Sequence, residues 1–229
     1  MLAIENLTAG YAKTAVVDDV TITLEAGTVT ALIGRNGVGK TTFLRAIFSL
    51  CDRHGGRLSI DGRELPAGRA EVPARHGMTL LPDDRGVFPT LTIDENLRLA
   101  QRKGYRPPVD VRQLFPLLVE RAEQPAGQLS GGQKQQVGIA RAILAGERFI
   151  VIDELSQGLQ PSLAQATLEA LRVVASTGVG VLFVEQGPRY PLAYADRIIG
   201  MVKGRFVLDR SGEDLRTDPA AVTDLLVVS

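Results

Sequence analysis

The segment Gly34-Arg35-Asn36-Gly37-Val38-Gly39-Lys40-Thr41-Thr42 constrains this chain more than any other stretch. Its spacing is G-x-x-x-x-G-K-[ST], a loop whose glycines let backbone N–H groups turn inward around a phosphate. In such a loop the lysine, Lys40, reaches the β- and γ-phosphates of a nucleotide, and the Thr41 hydroxyl reaches Mg²⁺. The apolar run Val29-Thr30-Ala31-Leu32-Ile33 precedes it, and the helical pattern Thr42-Phe43-Leu44-Arg45-Ala46-Ile47 follows. The loop is therefore predicted at a strand-to-helix turn, where the helix dipole favours an anion. It points to a nucleotide and a metal and leaves open what the phosphate energy drives.

The chain has 229 residues, enough to bury a sizeable core in one large domain, or in one domain with a subdomain. Lysine plus arginine equals aspartate plus glutamate, 26 each. That balance offers no basic excess for a nucleic-acid partner, and the absence of tryptophan argues against a base-stacking platform. Cys51 is the single cysteine, so no intramolecular disulfide can form and a reducing compartment is expected, with Cys51 an inert packing residue. No apolar run approaches the ~18–20 residues of a membrane span. Met1-Leu2-Ala3-Ile4-Glu5 leads into a strand pattern without a basic leader. The expectation is a soluble cytoplasmic protein that reaches a membrane only through a partner.

Strand patterns dominate the first third: Leu2–Leu7, Val20–Leu24, and Leu58–Ile60 before the Asp61-Gly62 turn. Between 84 and 146 the pattern turns helical. Thr92 and Glu95 have capping-box spacing, opening a helix through about Arg102. Gly104 and Pro107-Pro108 break it, a second helix is expected over Val111–Glu120 with Pro116 inside it, and a third from Ser130 to about Leu144. Beyond 148, strands at Phe149–Ile152, Val179–Val184 and Ile198–Val202 alternate with helices near 161–175 and 188–195. Continuous apolar strands alternating with helices imply a parallel sheet covered on both faces.

Two further motifs bear on chemistry. Leu129-Ser130-Gly131-Gly132-Gln133 has the spacing of a capping box, but a cap alone does not need paired glycines. They let a phosphate approach bare backbone N–H groups at a helix N-terminus. Phe149-Ile150-Val151-Ile152-Asp153-Glu154 is an apolar strand ending in two carboxylates. Asp153 suits the Mg²⁺ shell and Glu154 suits polarising an attacking water.

In that order along the chain, these motifs make it resemble the ATP-binding subunit of an ABC transporter over essentially its whole length. The resemblance implies an α/β P-loop NTPase (RecA-like) core with an antiparallel β subdomain, at about 1–83 and 147–229. An inserted helical signature subdomain would lie at about 84–146, all within one domain. It implies two ATPase subunits paired head to tail, identical or homologous, with ATP held between one phosphate loop and the partner's signature. It also implies permease subunits and, indirectly, a solute-binding protein, with the chain peripheral at the inner face of the cell membrane. Tyr11 falls where the family places an aromatic residue against adenine; the other reading is a turn tyrosine after Gly10.

The chain departs from the family pattern at three places. After the third core strand, Asp83 stands where a glutamine touching Mg²⁺ and water is usual; Asp83 is either a metal ligand or part of a polar Asp83-Asp84 turn. After Val181–Glu185, Gln186 replaces the usual histidine near the γ-phosphate; it can donate a hydrogen bond there but gains no proton near neutral pH. Gln160 replaces the aspartate that usually closes the loop after Glu154. Together with Gly158-Leu159-x-Pro161 and Arg85-Gly86-Val87-Phe88-Pro89-x-Leu91-Thr92, these resemble the ATPases serving branched-chain amino-acid, urea and short-amide uptake. Gln186 points to the second, shorter ATPase of that pair. Two rival readings are a non-transport ATPase of the same type and a regulatory module that binds ATP with little hydrolysis.

Overall fold

Strands that are buried at every position must be covered on both faces, and three such strands form the centre of the protein. The computed structural model describes residues 1–227. Strand β1 (Leu2–Tyr11) and β2 (Thr14–Leu24) lead into β3 (Val29–Ile33), the phosphate loop and helix α1 (Lys40–Ile47). Then come β4 (Asp52–Ile60), β5 (Arg63–Glu64), α2 (Glu71–Arg75) and β6 (Met78–Leu81). Helices α3 (Ile93–Ala100), α4 (Val111–Leu114), α5 (Leu117–Glu120) and α6 (Gly131–Ala145) follow. The chain ends with β7 (Phe149–Ile152), α7 (Pro161–Ser176), β8 (Gly180–Glu185), α8 (Arg189–Tyr194), β9 (Arg197–Val202), β10 (Arg205–Ser211), α9 (Gly212–Thr217) and α10 (Ala220–Val227).

Six strands make one sheet in the order β10-β9-β3-β8-β7-β6, parallel except for β10 at its edge. Every residue of β3, β7 and β8 is buried. Successive side chains point to opposite faces, so each strand feeds two cores. Ala31, Ile33, Ile150, Ile152 and Phe183 pack with Leu168 and Leu171 of α7 and Val137 and Ile143 of α6. Leu32, Val151, Leu182 and Val184 pack with Phe43, Leu44 and Ile47 of α1 and with the second sheet. That second sheet is antiparallel, ordered β2-β1-β4-β5, and buries Leu2, Ile4, Leu7, Val20 and Leu58.

Several boundaries differ from the sequence expectation for physical reasons. The inward phase of β1 slips between Ile4 and Leu7 because Asn6 takes a left-handed φ of 48°, a bulge that restores Leu7 and Ala9 to the core. Helix α3 stops at Ala100, not Arg102; Gln101 is extended, and Arg102 donates to the carbonyls of Ala74 and Arg75. The segment expected as one helix over 111–120 is two single turns, separated at Phe115-Pro116. The capping box at Thr92 and Glu95 is present as read. Cys51 is half-buried, and burial pushes its thiol up, away from the reactive thiolate.

Asn96 of α3 fastens the loop over 85–92 to the helices. It is fully buried; its Oδ1 accepts from Phe88 N at 2.9 Å and Arg141 Nη1 at 3.0 Å. Its Nδ2 donates to the carbonyls of Thr92 at 2.9 Å and Phe88 at 3.0 Å. The Arg141 guanidinium in turn sits 4.8 Å over the Phe88 ring. Asn96→Ala strands several partly buried partners, each at up to about 1–3 kcal/mol before relaxation. It is expected to lower stability by at least about 2 kcal/mol in denaturant unfolding, and Asn96→Asp is expected to rescue only part of it.

Candidate functional site

The parallel strands bring the phosphate loop, Asp83, Asp153, Glu154 and Gln186 to one end of the sheet, beyond the last residues of β3, β6, β7 and β8. The phosphate loop leaves β3 after Ile33 and enters α1 through Gly39, whose φ of 112° is open to glycine and strained for other residues. A Cβ there would lie 3.2 Å from Val16 O, so β2 sits against the loop. Val38 O accepts from Gly204 N at 2.8 Å, tying the loop to the β9–β10 turn, while the Val38 side chain packs on the core. A cavity of about 310 Å³ opens there, lined by Asn36, Gly37, Gly39, Lys40, Thr41, Thr42, Val16 and Glu154. Lys40 is buried and folds over its own loop, donating to Gly34 O at 2.6 Å and Arg35 O at 2.9 Å. Desolvation lowers its pKa, opposed by Asp153, Glu154 and Glu185.

Thr41 and Asp153 are 112 residues apart and meet directly, the hydroxyl donating to Oδ2 at 2.7 Å. Asp153 is buried, its Oδ1 has no hydrogen-bond partner, and desolvation raises its pKa. A divalent cation fits this donor set: a hydroxyl, an orphaned carboxylate oxygen, and space for phosphate oxygens and water. Among the described residues no three His, Cys, Asp or Glu side chains form a metal site by themselves. Mg²⁺ characteristically takes one or two carboxylates together with substrate phosphates.

Glu154 follows in a left-handed conformation, φ 48°. Its Oε1 accepts from Gln186 Nε2 at 2.6 Å, and its side chain borders both the phosphate cavity and a second one of about 330 Å³. The second cavity is lined by Glu154, Ser156, Gln157, Glu185 and Gln186. Gln160 precedes Pro161 at the start of α7 and makes no side-chain cap.

Asp83 and Tyr11 meet through a residue the sequence reading passed over. Arg45, in the last turn of α1, donates to the Tyr11 hydroxyl at 3.2 Å and pairs with Asp83 at 3.5 Å. Tyr11 is 43 % exposed, so its ring is open to a ligand. Asp83 is engaged by Arg45 yet close enough to help raise the pKa of Asp153. The helical spacing of Arg45 from Lys40 puts it on the same helix, but nothing in the sequence sets Tyr11 and Asp83 beside it.

The signature segment lies elsewhere. Ser130 caps α6, its Oγ accepting from Gln133 N at 3.4 Å while Gln133 Oε1 accepts from Ser130 N at 2.9 Å. Leu129 is buried. Gly131 lies against the Arg85 guanidinium, and a Cβ on Gly132 would come within 2.2 Å of Gly158 O. Among the described residues, none of Leu129–Gln133 lines the phosphate cavity.

The raised pKa of Asp153 carries a sign for stability. The folded state binds this proton more readily than the unfolded chain, so ionised Asp153 costs stability above its folded pKa and costs nothing below the ordinary carboxylate range. Without nucleotide or divalent cation, Asp153→Asn is expected to raise the thermal midpoint at about pH 7–8, with a gain that fades as pH falls toward about 4. Melting curves across that pH range check it.

Comparison with known proteins agrees with this geometry. Residues 17–157 match the family model described as ABC transporter. A high-affinity branched-chain amino acid transport ATP-binding protein, BraG of Pseudomonas aeruginosa, is 34% identical over 96% of each chain. The lipopolysaccharide export system ATP-binding protein LptB of Haemophilus influenzae is 30% identical, covering 95% of this chain and 93% of that one. The solved structure of an ATP-binding subunit of an ABC transporter superposes with a TM-score of 0.83 at 29% identity, covering 99% of this chain and 98% of the other. The chain belongs to the ABC transporter family, as an ATP-binding, ATP-hydrolysing subunit.

Proposed function

We propose that this subunit powers an importer for branched-chain amino acids or for urea and short amides. The observation that carries its chemistry is that Lys40, Thr41 and Glu154 line one cavity, with Thr41 held by Asp153 and Glu154 by Gln186. The cargo class is supported by the similarity to BraG and by the Gln186 and Gly158-Leu159 features. An ATPase subunit does not itself touch the cargo, so fold alone does not decide between import and export.

In this reading the loop backbone from Gly34 to Thr42 wraps the phosphates and Tyr11 stacks on adenine. Lys40 exchanges its two neutral carbonyl partners for charged phosphate oxygens. Thr41 and Asp153, with Asp83 at the margin, would hold Mg²⁺, which neutralises charge developing on the transferred phosphoryl group. Glu154 orients the attacking water and takes its proton, and Gln186 holds Glu154 and reaches the γ-phosphate. ADP and phosphate leave. The signature N–H groups of Ser130–Gln133 serve the ATP of a paired subunit, identical or homologous, because they lie outside this chain's own cavity.

Domain assignment follows the same reading: a core at about 1–83 and 147–229 and a helical arm at about 84–146. Paired closure pulls on transmembrane permeases, with a solute-binding protein delivering cargo on the far side. No described helix is long and apolar enough to cross a membrane, and we place the chain peripherally at the inner face of the cell membrane through those permeases.

Glu154→Gln in the transporter complex purified through this chain is expected to keep ATP affinity while slowing hydrolysis by about 10²–10⁴-fold. Hydrolysis at the wild-type rate would remove Glu154 from its role. Transport by vesicles containing the same complex, driven by ATP and supplied with leucine or with urea, decides the cargo class. Movement of neither solute overturns the importer assignment made here.

A further inference from the structure

Glu185 is a buried carboxylate that the reaction as described does not use. It closes β8 at 7 % exposure and accepts two hydrogen bonds from one residue, Ser156. The Ser156 backbone N–H donates to Oε1 at 2.9 Å and the Ser156 hydroxyl donates to Oε2 at 3.0 Å. Ser156 lies two residues beyond Glu154, so these bonds span β8 and the turn that follows β7. On the opposite side Gln135, buried in α6, donates to Glu154 O at 3.3 Å and Leu155 O at 3.1 Å. Glu154 is thus held in its left-handed conformation from two directions. A non-glycine residue keeps such a backbone only where its surroundings over-determine it.

The next residue in the chain, Gln186, fixes the Glu154 side chain through its Oε1. One dipeptide, Glu185-Gln186, therefore controls both the backbone and the carboxylate of Glu154. The fold alone gives no reason for a carboxylate at this position. Burying one is costly unless paired, and an apolar residue at the end of a fully buried strand would serve packing better. The carboxylate offers two acceptor oxygens in one plane, which matches the N–H and O–H of a single serine.

We propose that Glu185 is a positioning residue for ATP hydrolysis: by clamping Ser156 it holds the turn that aims Glu154 at the phosphate cavity. The inference rests on the reading of Glu154 as the group on the water. It places a requirement on residue 156, which must present a hydroxyl as well as its N–H.

The test uses the full-length chain in its transporter complex, with kcat for ATP and the dissociation constant for ADP measured for each variant. Glu185→Ala is expected to lower kcat by about 10–100-fold, the scale of a misaimed catalytic group, while ADP affinity stays within about threefold of wild type. Ser156→Ala removes one of the two bonds and is expected to lower kcat by about 3–10-fold. Glu185→Gln can keep both contacts, its amide oxygen accepting from the N–H and its amide donating to the reoriented hydroxyl, and should restore kcat to within about threefold. Adding Glu185→Ala to Glu154→Gln should cost nothing further, because the group being aimed is already gone.

A wild-type kcat in Glu185→Ala overturns the proposal while leaving Glu154 in its role. So does an equal loss of ADP affinity and kcat, or a full further loss on top of Glu154→Gln. Should Glu154→Gln itself hydrolyse ATP at the wild-type rate, the reading of Glu154 fails and this inference falls with it. If Glu185→Ala does not fold, Ser156→Ala decides the matter: a wild-type kcat in that variant would overturn it.

Discussion

The parallel pairing of β3, β8 and β7 is the constraint on which the site depends. Ile33, the last residue before the phosphate loop, pairs with Glu185, and Ile152, the last before Asp153, pairs with Phe183. With those registers the three strand ends deliver their following residues side by side. Side-chain period in a strand is two, so a slip of one residue would turn Glu185 to the opposite face of the sheet and exchange the residues that serve the two cores. The register is protected by burial on both faces: Phe183 serves one core and Leu182 the other. The chemistry of the loop residues is therefore inherited from packing far below them.

Much of this was legible in the sequence because local spacing carries it. Gly34–Thr42 reports a turn chemistry that few other folds demand, and Phe149–Glu154 reports a buried strand with charge at its tip. The capping boxes at Thr92 and Ser130 are likewise local, and both formed as read. What sequence did not carry is adjacency across strands. Glu185 meets Ser156 because β8 pairs with β7, and Arg45 joins Tyr11 to Asp83 because α1 packs against the second sheet. The bulge at Asn6 was missed for a related reason. Strict alternation would have pointed Leu7 outward, and a single left-handed residue corrects it.

The departures at 83 and 186 acquire a physical meaning from their partners. Gln186 donates its amide to Glu154 regardless of pH near neutrality, whereas an imidazole in that place would change its donor capacity there. Asp83 is paired with a cation on α1, so its charge is partly spoken for before any metal competes for it. Both substitutions move the site toward contacts fixed within this chain.

Lys40 is a buried ammonium that donates to two carbonyls of its own loop, and a phosphate is a better match for it. Ligand that binds only the folded chain adds about 2.7 kcal/mol of stability at a hundredfold excess over its Kd. Proteolysis that requires opening follows the population of opened molecules. A nucleotide bound at this loop would therefore lengthen the life of the folded chain against proteolysis as well as serve its chemistry.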